Sequence, residues 1–307
     1  MSSRSWILLL TLALIWGASF YFVEVGLLYL DPFWLVSIRL LVGALALILW
    51  LHLQGLRLPN NSHFWISVMV MGLLNNIMPF NLIAFGQQYV TGGLASIVNA
   101  NTAFMGVIVS AIFLTSEPAK WNRITGVIIG IIGVAIAIGI DTSLADTDSN
   151  SKIIGQLAIV LATIAYAFAG VWGKLKLAGY TPMQGATGML ICSTIISILC
   201  SFLISGLPSL TIANHPLDLF KLVFGLGVLG TALAYPLYFK ILNLAGSSNL
   251  MLVTIIVPIF AVVLDAMLLG QFVTMADLIG FTLVAIGLAI MDGRVVNRLI
   301  TPKTPDP

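Results

Sequence analysis

Three ionisable residues lie inside long apolar stretches of the sequence: Glu24, Arg39 and Asp265. A charge in such surroundings costs at least about 3 kcal/mol and usually faces a partner or water. Glu24 lies seven residues before Asp31, and Arg39 lies eight residues after it. If two antiparallel helices turn near Asp31, both side chains would lie about 11 Å from the turn. We therefore expect a Glu24–Arg39 ion pair.

This ion pair has two interpretations. It would be a structural clamp for the hairpin, or it would be a gate or an attachment point for the charge of a solute. Asp265 lies toward the outer end of its apolar stretch and could simply reach the interface. The spacing leaves open whether Glu24 or Asp265 takes part in proton coupling.

Amide and phenol side chains cluster with prolines in two further apolar stretches. Asn75, Asn76, Pro79 and Asn81 lie in one stretch, and Tyr235, Pro236 and Tyr238 lie in the other. A shift of 154 residues places Asn81 on Tyr235. Proline removes one backbone hydrogen bond and bends a helix, so we expect kinks at Pro79, Pro236 and Pro258. Two bent helices with polar groups at equal depth favour a binding cavity, whereas polar contacts between helices are the alternative.

Other polar and aromatic residues extend this candidate binding site. It also contains Trp16, Ser19, Asn99, Asn101 and Tyr166. Aromatic rings combined with neutral hydrogen-bonding groups fit a small amphipathic solute such as an amino acid. Trp16 could equally be a packing residue.

The sequence lacks the motifs of several kinds of chemistry. The three histidines, His52, His63 and His215, fall at the ends of apolar stretches or between them, so no histidine pair is available for a metal. The sequence has no phosphate-binding glycine–lysine loop, no Ser/His/Asp arrangement and no HExxH motif. We expect no enzyme activity, no metal and no cofactor, and no Lys/Arg run indicates nucleic-acid binding.

The elements that carry these residues are long apolar segments. The chain has 307 residues, of which 60% are hydrophobic and 8% are charged, whereas soluble domains average about 25% charged residues. The sequence predicts an all-α membrane protein with ten transmembrane helices. Their approximate limits are 5–29, 33–52, 64–89, 94–115, 122–140, 153–177, 183–204, 217–243, 248–269 and 275–293.

Positive charges predict the orientation of these helices. With a cytoplasmic N-terminus, ten basic residues fall on the inside and two, Lys152 and Lys221, on the outside. The inside residues are Arg4, Arg57, Lys120, Arg123, Lys174, Lys176, Lys240, Arg294, Arg298 and Lys303. This asymmetry favours an even number of spans and two cytoplasmic termini.

The first and second halves of the sequence also resemble each other. The 154-residue shift places Gly92 on Gly246 and Gly126 on Gly280, and a 150-residue shift places Trp16 on Tyr166. The polar stretch Asp141 to Lys152 separates the two similar parts. Because each part has five helices, the second enters the membrane from the opposite side. We predict two inverted five-helix repeats, residues 1–148 and 149–307.

Three segments resemble the signatures of a known family. They are Leu14 to Phe20, Asp31-Pro32 followed by Arg39, and Gly92 to Asn101 followed by Glu117 and Gly126. In order and spacing they are similar to the drug/metabolite transporter superfamily, in particular its ten-helix, EamA-type branch of bacterial metabolite and amino-acid exporters. Phe104 stands where that family usually has proline, and Gln271 replaces a second acidic residue.

The resemblance implies alternating access of two halves around a central cavity. Helices one, three, four, six, eight and nine would line the cavity, and helices five and ten would be peripheral. We thus expect a secondary transporter, an exporter of small amphipathic metabolites such as amino acids, in the bacterial cytoplasmic membrane. A membrane-embedded enzyme and a channel or structural subunit are the alternatives. The partners are a small-molecule substrate and the lipid bilayer.

The sequence leaves the substrate, the coupling ion, the direction of transport and the oligomeric state open, a monomer included. Two substitutions test the predicted site, Asn81→Ala and Tyr235→Ala. We expect each to impair transport and to leave the protein folded.

Overall fold

The structure, a computed structural model, describes residues 2–114, 120–139, 147–209 and 211–293. Glu117, the first half of the expected linker, and the basic residues Arg294, Arg298 and Lys303 lie outside these ranges. The predicted division of the chain at residue 148 therefore stays a prediction.

Ten helical spans follow one another, and the described residues contain no strand. The bounds of the first five are α1 Ser3–Leu27, α2 Pro32–Leu53, α3 Ser62–Gly86, α4 Gly92–Phe113 and α5 Trp121–Ile138. The second five are α6 Thr147–Lys176, α7 Pro182–Ser205, α8 Pro216–Ala245, α9, formed by Ser247–Leu250 and Leu252–Leu268, and α10 Met275–Asp292. Within the described residues, nine spans are long and apolar enough to cross a membrane, and Leu252–Leu268 is shorter. The expected all-α membrane fold is confirmed.

Side-chain caps set the starts of several spans. The Asp31 carboxylate accepts hydrogen bonds from the backbone N–H groups of Phe33 and Trp34, and Pro32 occupies the first turn. Thr181 and Gln184 form a reciprocal capping box before α7, again with proline in the first turn. These residues satisfy N–H groups that a helix start leaves without partners.

Two spans leave regular α geometry at related positions. Leu73–Ile77 in α3 and Lys221–Leu233 in α8 are π-helical. The 154-residue shift places the first segment on residues 227–231, inside the second. Pro79 and Pro236 follow these segments closely, and Pro258 lies within α9. The irregular backbone therefore lies where the prolines predicted bends, with π turns as an added cause.

Helix contacts repeat between the halves. Helix α1 packs against α9 and α8, and its counterpart α6 packs against α4 and α3. In the same way α2 packs against α8, and its counterpart α7 packs against α3. Two further contacts, α2 with α7 and α5 with α10, join a helix to its own counterpart. If the two halves are exchanged, each of these helix–helix contacts therefore coincides with another contact of the set or with itself. Helices α5 and α10 pack mainly on each other, as expected of peripheral supports.

Small residues allow α5 and α10 to approach closely. A Cβ atom added to Gly133 would lie 2.7 Å from the carbonyl oxygen of Gly280, and one added to Gly287 would lie 2.6 Å from that of Gly126. Backbone-to-backbone packing of this kind requires glycine, since any side chain would separate the helices.

The bundle has two faces. We call the end that carries Ser2 and the loops 54–61 and 177–181 the N-terminal face, and the other end the opposite face. At the N-terminal face, Gln184 donates to the carbonyl of Arg57 at 2.8 Å. At the opposite face, Ser205 donates to Asp31 at 2.9 Å and Tyr29 to Asp218 at 2.8 Å. Each set of bonds joins the two halves.

Candidate functional site

A cavity of about 910 Å³ lies between the two halves. Eight helices line it, namely α1–α4 and α6–α9. Six of these helices were expected from the family resemblance, so α2 and α7 are additions, whereas α5 and α10 contribute no described lining residue, as expected. Its polar lining residues are Ser19, Arg39, Asn75, Gln87, Ser96, Asn99, Thr102, Tyr166, Tyr180, Thr181, Thr231, Tyr235, Tyr238 and Thr254.

Most of the predicted binding residues lie on this cavity. They are Trp16, Ser19, Asn99, Tyr166, Tyr235 and Tyr238. Within the described part of the chain, the Asn99 carboxamide and the hydroxyls of Tyr166 and Tyr238 make no hydrogen bond. The Asn99 oxygen is buried, so the two tyrosine hydroxyls are the groups of this set that can bond to a solute in the cavity.

Three predicted residues do not line the cavity, which corrects the expectation for them. Asn76 is fully buried and donates to the Ser193 hydroxyl of α7 at 3.0 Å. Asn101 is buried and donates to the Thr163 hydroxyl of α6 at 3.1 Å. The Asn81 amide turns back onto the carbonyl of Ile77 in its own helix, at 2.7 Å. The first two connect helices, which was the alternative interpretation.

Tyr235 joins the cavity wall to this buried network. Its hydroxyl accepts a hydrogen bond from Asn75 at 3.2 Å and donates one to Asn76 at 3.1 Å. Because Asn76 also bonds to Ser193, the network connects α3, α7 and α8. Tyr235 therefore has a structural role as well as a position on the cavity.

Removal of the Tyr235 hydroxyl tests this structural role. In Tyr235→Phe, the buried Asn76 side-chain oxygen loses its closer donor and keeps only the 3.5 Å contact from the Asn75 amide, which costs about 1–3 kcal/mol. We expect a lower thermal unfolding midpoint in detergent, even without a solute. The matched variant Tyr238→Phe removes a hydroxyl that bonds to no described residue and should leave the midpoint unchanged. Equal midpoints for both variants would contradict the assigned role.

The aromatic part of the cavity lies on α1 and α8. The rings of Trp16 and Tyr238 are 6.0 Å apart at an angle of 40°, and Phe239 packs edge-on against Tyr238. The Ser19 hydroxyl donates a hydrogen bond to the carbonyl of Ile15, four residues earlier. Toward a solute, its oxygen can therefore act only as an acceptor. This region offers apolar contact area with few polar groups.

The expected ion pair between Glu24 and Arg39 is not formed. The Arg39 Nε donates to the Thr231 hydroxyl of α8 at 2.9 Å, and its guanidinium lies 3.8 Å from the centre of the Phe80 ring. Glu24 instead turns toward α4 and α9. Equal distance from the turn placed the two residues at one depth, but depth does not fix which side of each helix they occupy.

Two carboxylates and one amide connect the bundle at the opposite face. Glu24 accepts hydrogen bonds from the Gly92 backbone N–H, at 3.2 Å, and from the side chain of Gln271. The buried Asp265 accepts one from the next backbone N–H, that of Gly93. The two N–H groups belong to the start of α4, where the helix dipole favours negative charge. We call these five residues the seal.

The cavity is closed toward the seal and open toward the other end. Its lining near the opposite face consists of buried residues such as Phe20, Val23 and Leu35. Near the N-terminal face the lining includes the exposed residues Ala178 and Thr181. Among the described residues, the cavity therefore opens toward the N-terminal face.

Part of the cavity lining and most of the seal were not predicted from the sequence. Thr231 and Gln87 were not identified, and neither was Gly92 or Gly93 as a binding group. Gly-Gly at a helix start is a usable signal, because a glycine there leaves the backbone N–H accessible to a carboxylate. Gln271 was noted only as a departure from an acidic residue.

The fold and the cavity together define a helical membrane transporter. A family model confirms this class, since the EamA-like transporter family matches residues 4–139 and 153–291. The chain belongs to the EamA-like transporter family, which is part of the drug/metabolite transporter superfamily. The family model matches the two halves separately, and the family consists of transporters rather than enzymes.

Individual proteins agree with this assignment. The chain is 23% identical over 91% of its length to "Uncharacterized transporter YoaV" of Bacillus subtilis, covering 94% of that protein. It is 25% identical to the "Probable amino-acid metabolite efflux pump" of Salmonella typhimurium, over 94% of this chain and 95% of that one. "Protein PecM" of Dickeya dadantii is 27% identical, over 90% and 88% of the two chains.

A solved structure shares the fold. It is described as "Crystal structure of protein" and superimposes with a TM-score of 0.67 over 98% of this chain and 100% of the other. At 17% sequence identity this likeness concerns the fold alone.

Proposed function

We propose that the protein is a secondary carrier that exports small amphipathic metabolites, amino acids among them, by alternating access. The observation that carries this proposal is a central cavity, open at the N-terminal face and closed by the seal at the opposite face. In the proposed cycle the seal opens while the halves close at the N-terminal face. The repeated helix contacts support this cycle. Each half could adopt the packing arrangement that the other half has in this structure, which would close the N-terminal face and open the opposite one.

The direction of export follows from the predicted orientation. Described basic residues concentrate at the N-terminal face, including Arg57, Lys174 and Lys176, while Lys152 and Lys221 lie toward the opposite face. The positive-inside rule therefore favours a cytoplasmic N-terminal face and insertion in the bacterial inner membrane. The open cavity would then receive a cytoplasmic solute. The Salmonella efflux pump named above supports amino acids as a substrate class.

The purified protein in proteoliposomes provides the test. We expect uptake that saturates with solute concentration, and accelerated exchange when the same unlabelled solute is inside. A channel would give flux without this counterflow. A panel of amino acids and related metabolites, measured with and without a proton gradient, would identify the substrate and the coupling ion. Non-saturable flux for every solute that passes would contradict the proposal.

Trp16 should contribute to solute affinity. It lines the cavity and faces Tyr238, so Trp16→Ala removes apolar contact area from the site. We expect a roughly tenfold rise in the half-saturation concentration, because one lost contact of about 1.4 kcal/mol corresponds to a factor of ten. The matched control is Trp121→Ala, since Trp121 is 83% exposed at the start of α5 and away from the cavity. Equal effects of the two substitutions would remove Trp16 from the site.

A further inference from the structure

The guanidinium of Arg39 has few partners for a buried cation. The residue is only 8% exposed and lines the cavity. Arginine has five N–H donors and stays charged in proteins. Among the residues that the structure describes, only Nε finds an acceptor, the Thr231 hydroxyl. The four N–H groups on the two terminal nitrogens make no hydrogen bond to a described residue.

The charge of Arg39 also lacks a counter-ion in the described part of the chain. The titratable groups that interact with it are Tyr166 and Tyr235, two phenols that are neutral near pH 7. The Phe80 ring covers one side of the guanidinium, which gives partial compensation through its π electrons. Glu24 accepts hydrogen bonds with both carboxylate oxygens in the seal, and Asp265 accepts one from Gly93 with a single oxygen, its other oxygen being buried without a partner among the described residues. Neither carboxylate lines the cavity.

The described cavity lining therefore carries one full positive charge and no carboxylate. A buried charge without a partner costs several kcal/mol, so a solute that supplies an anion gains more here than it would from a neutral site. Arginine presents a planar pair of N–H groups that matches the two oxygens of a carboxylate. Arg39 also lies at the closed end of the cavity, on the same helix as the lining residues Leu35 and Val36.

We propose that Arg39 binds the carboxylate of the transported solute at the closed end of the cavity. The body of the solute then lies toward Trp16 and Tyr238. This inference rests on the proposed function and restricts its substrate class to small solutes that bear a carboxylate. An amine without a carboxylate is disfavoured, since it would face the cation.

Matched probes can separate the carboxylate from the rest of the solute. The first set is L-leucine, L-leucinamide and 4-methylpentanoate, and the second is L-phenylalanine, L-phenylalaninamide and 3-phenylpropanoate. Each set keeps one side chain and removes either the carboxylate or the amine. Binding to the full-length protein in detergent is measured by calorimetry, and transport is measured in proteoliposomes. We expect the acids of at least one set to bind at least tenfold more tightly than the amide of that set.

Substitution of Arg39 then tests the residue itself. In Arg39→Met we expect the affinity for the carboxylate probes to fall at least tenfold and the affinity for the amide to stay unchanged or rise. Arg39→Lys keeps the charge but loses the paired N–H groups, so an intermediate affinity is expected. A purely structural role for Arg39 would lower the affinity for acid and amide equally, and that result would overturn the proposal.

The two proposals fail in different ways. If the wild-type protein binds acid and amide equally well, the role of Arg39 is refuted while the carrier function stands. If it neither binds nor transports any probe of either set, both this inference and the proposed amino-acid-like substrate class are refuted. Should Arg39→Met not fold, the comparison of acid and amide on the wild-type protein still decides the substrate class, and Arg39→Lys decides the residue.

Discussion

Transport should stop when positions 24 and 271 are cross-linked. Glu24 of α1 and Gln271, which follows α9, are hydrogen-bonded in the seal. If the carrier must open the opposite face once in every cycle, a covalent link between these positions holds it closed. We expect a loss of at least 90% of the transport rate in Glu24→Cys/Gln271→Cys after treatment with a short bifunctional thiol reagent that contains a cleavable disulfide.

The native cysteines and the seal substitutions require controls. Cys192 and Cys200 are both partly accessible and are first replaced by alanine. The two single variants, Glu24→Cys and Gln271→Cys, receive the same reagent and should keep the rate that they had before treatment. Reduction of the reagent should restore the rate of the double variant. A fully cross-linked double variant that still transports at its earlier rate would show that the opposite face does not open during transport.

Gly133→Leu should prevent the protein from accumulating in folded form. The first side-chain atom alone would lie 2.7 Å from the Gly280 carbonyl oxygen and 2.8 Å from the backbone nitrogen of Val284. Backbone atoms on α10 cannot turn aside as a flexible side chain would, so the two helices must separate. Overpacking usually costs about 1–3 kcal/mol, and a backbone contact belongs at or above the upper end of this range. The measurement is the monodisperse yield after extraction in mild detergent.

Gly106→Leu is the matched control for this substitution. Gly106 also lies in a helix, α4, but a Cβ atom there meets nothing within 4 Å. Its yield should stay close to that of the wild type. A normal yield for Gly133→Leu would contradict the close packing of α5 and α10.

The fold was largely predictable because membrane spans leave a strong signal. Apolar runs of about 20 residues, separated by capping residues such as Asp31 and Thr181, mark the helices with little dependence on tertiary contacts. The seventeen-residue helix Leu252–Leu268 shows the limit of this signal, since a length rule alone would omit it. The sequence aligned Gly126 of α5 with Gly280 of α10, but it did not show that these two helices pack against each other.

The sequence predicted how deep the site residues lie in the membrane, but not which side of each helix they occupy. Asn75 and Asn76 are neighbours, yet Asn75 lines the cavity and Asn76 is buried against α7. The π-helical segment that contains both residues changes the rotation per residue, so a 3.6-residue period no longer tells which side faces inward. Glu24 and Arg39 lie in regular α-helices, where their equal distance from the turn placed them at one depth but did not show that they face different neighbours.

Side-specific labelling of a cysteine in the cavity tests the central claim most directly. Thr254 lines the cavity on α9, so Thr254→Cys in a protein without Cys192 and Cys200 places one thiol there. A membrane-impermeant maleimide is added to sealed vesicles of either orientation, and the exposed side is identified by a tag at the N-terminus. We predict rapid labelling from the side of the N-terminus and at least tenfold slower labelling from the other side. Equal rates from both sides, or faster labelling from the side of the seal, would contradict a cavity that is open at one face and sealed at the other.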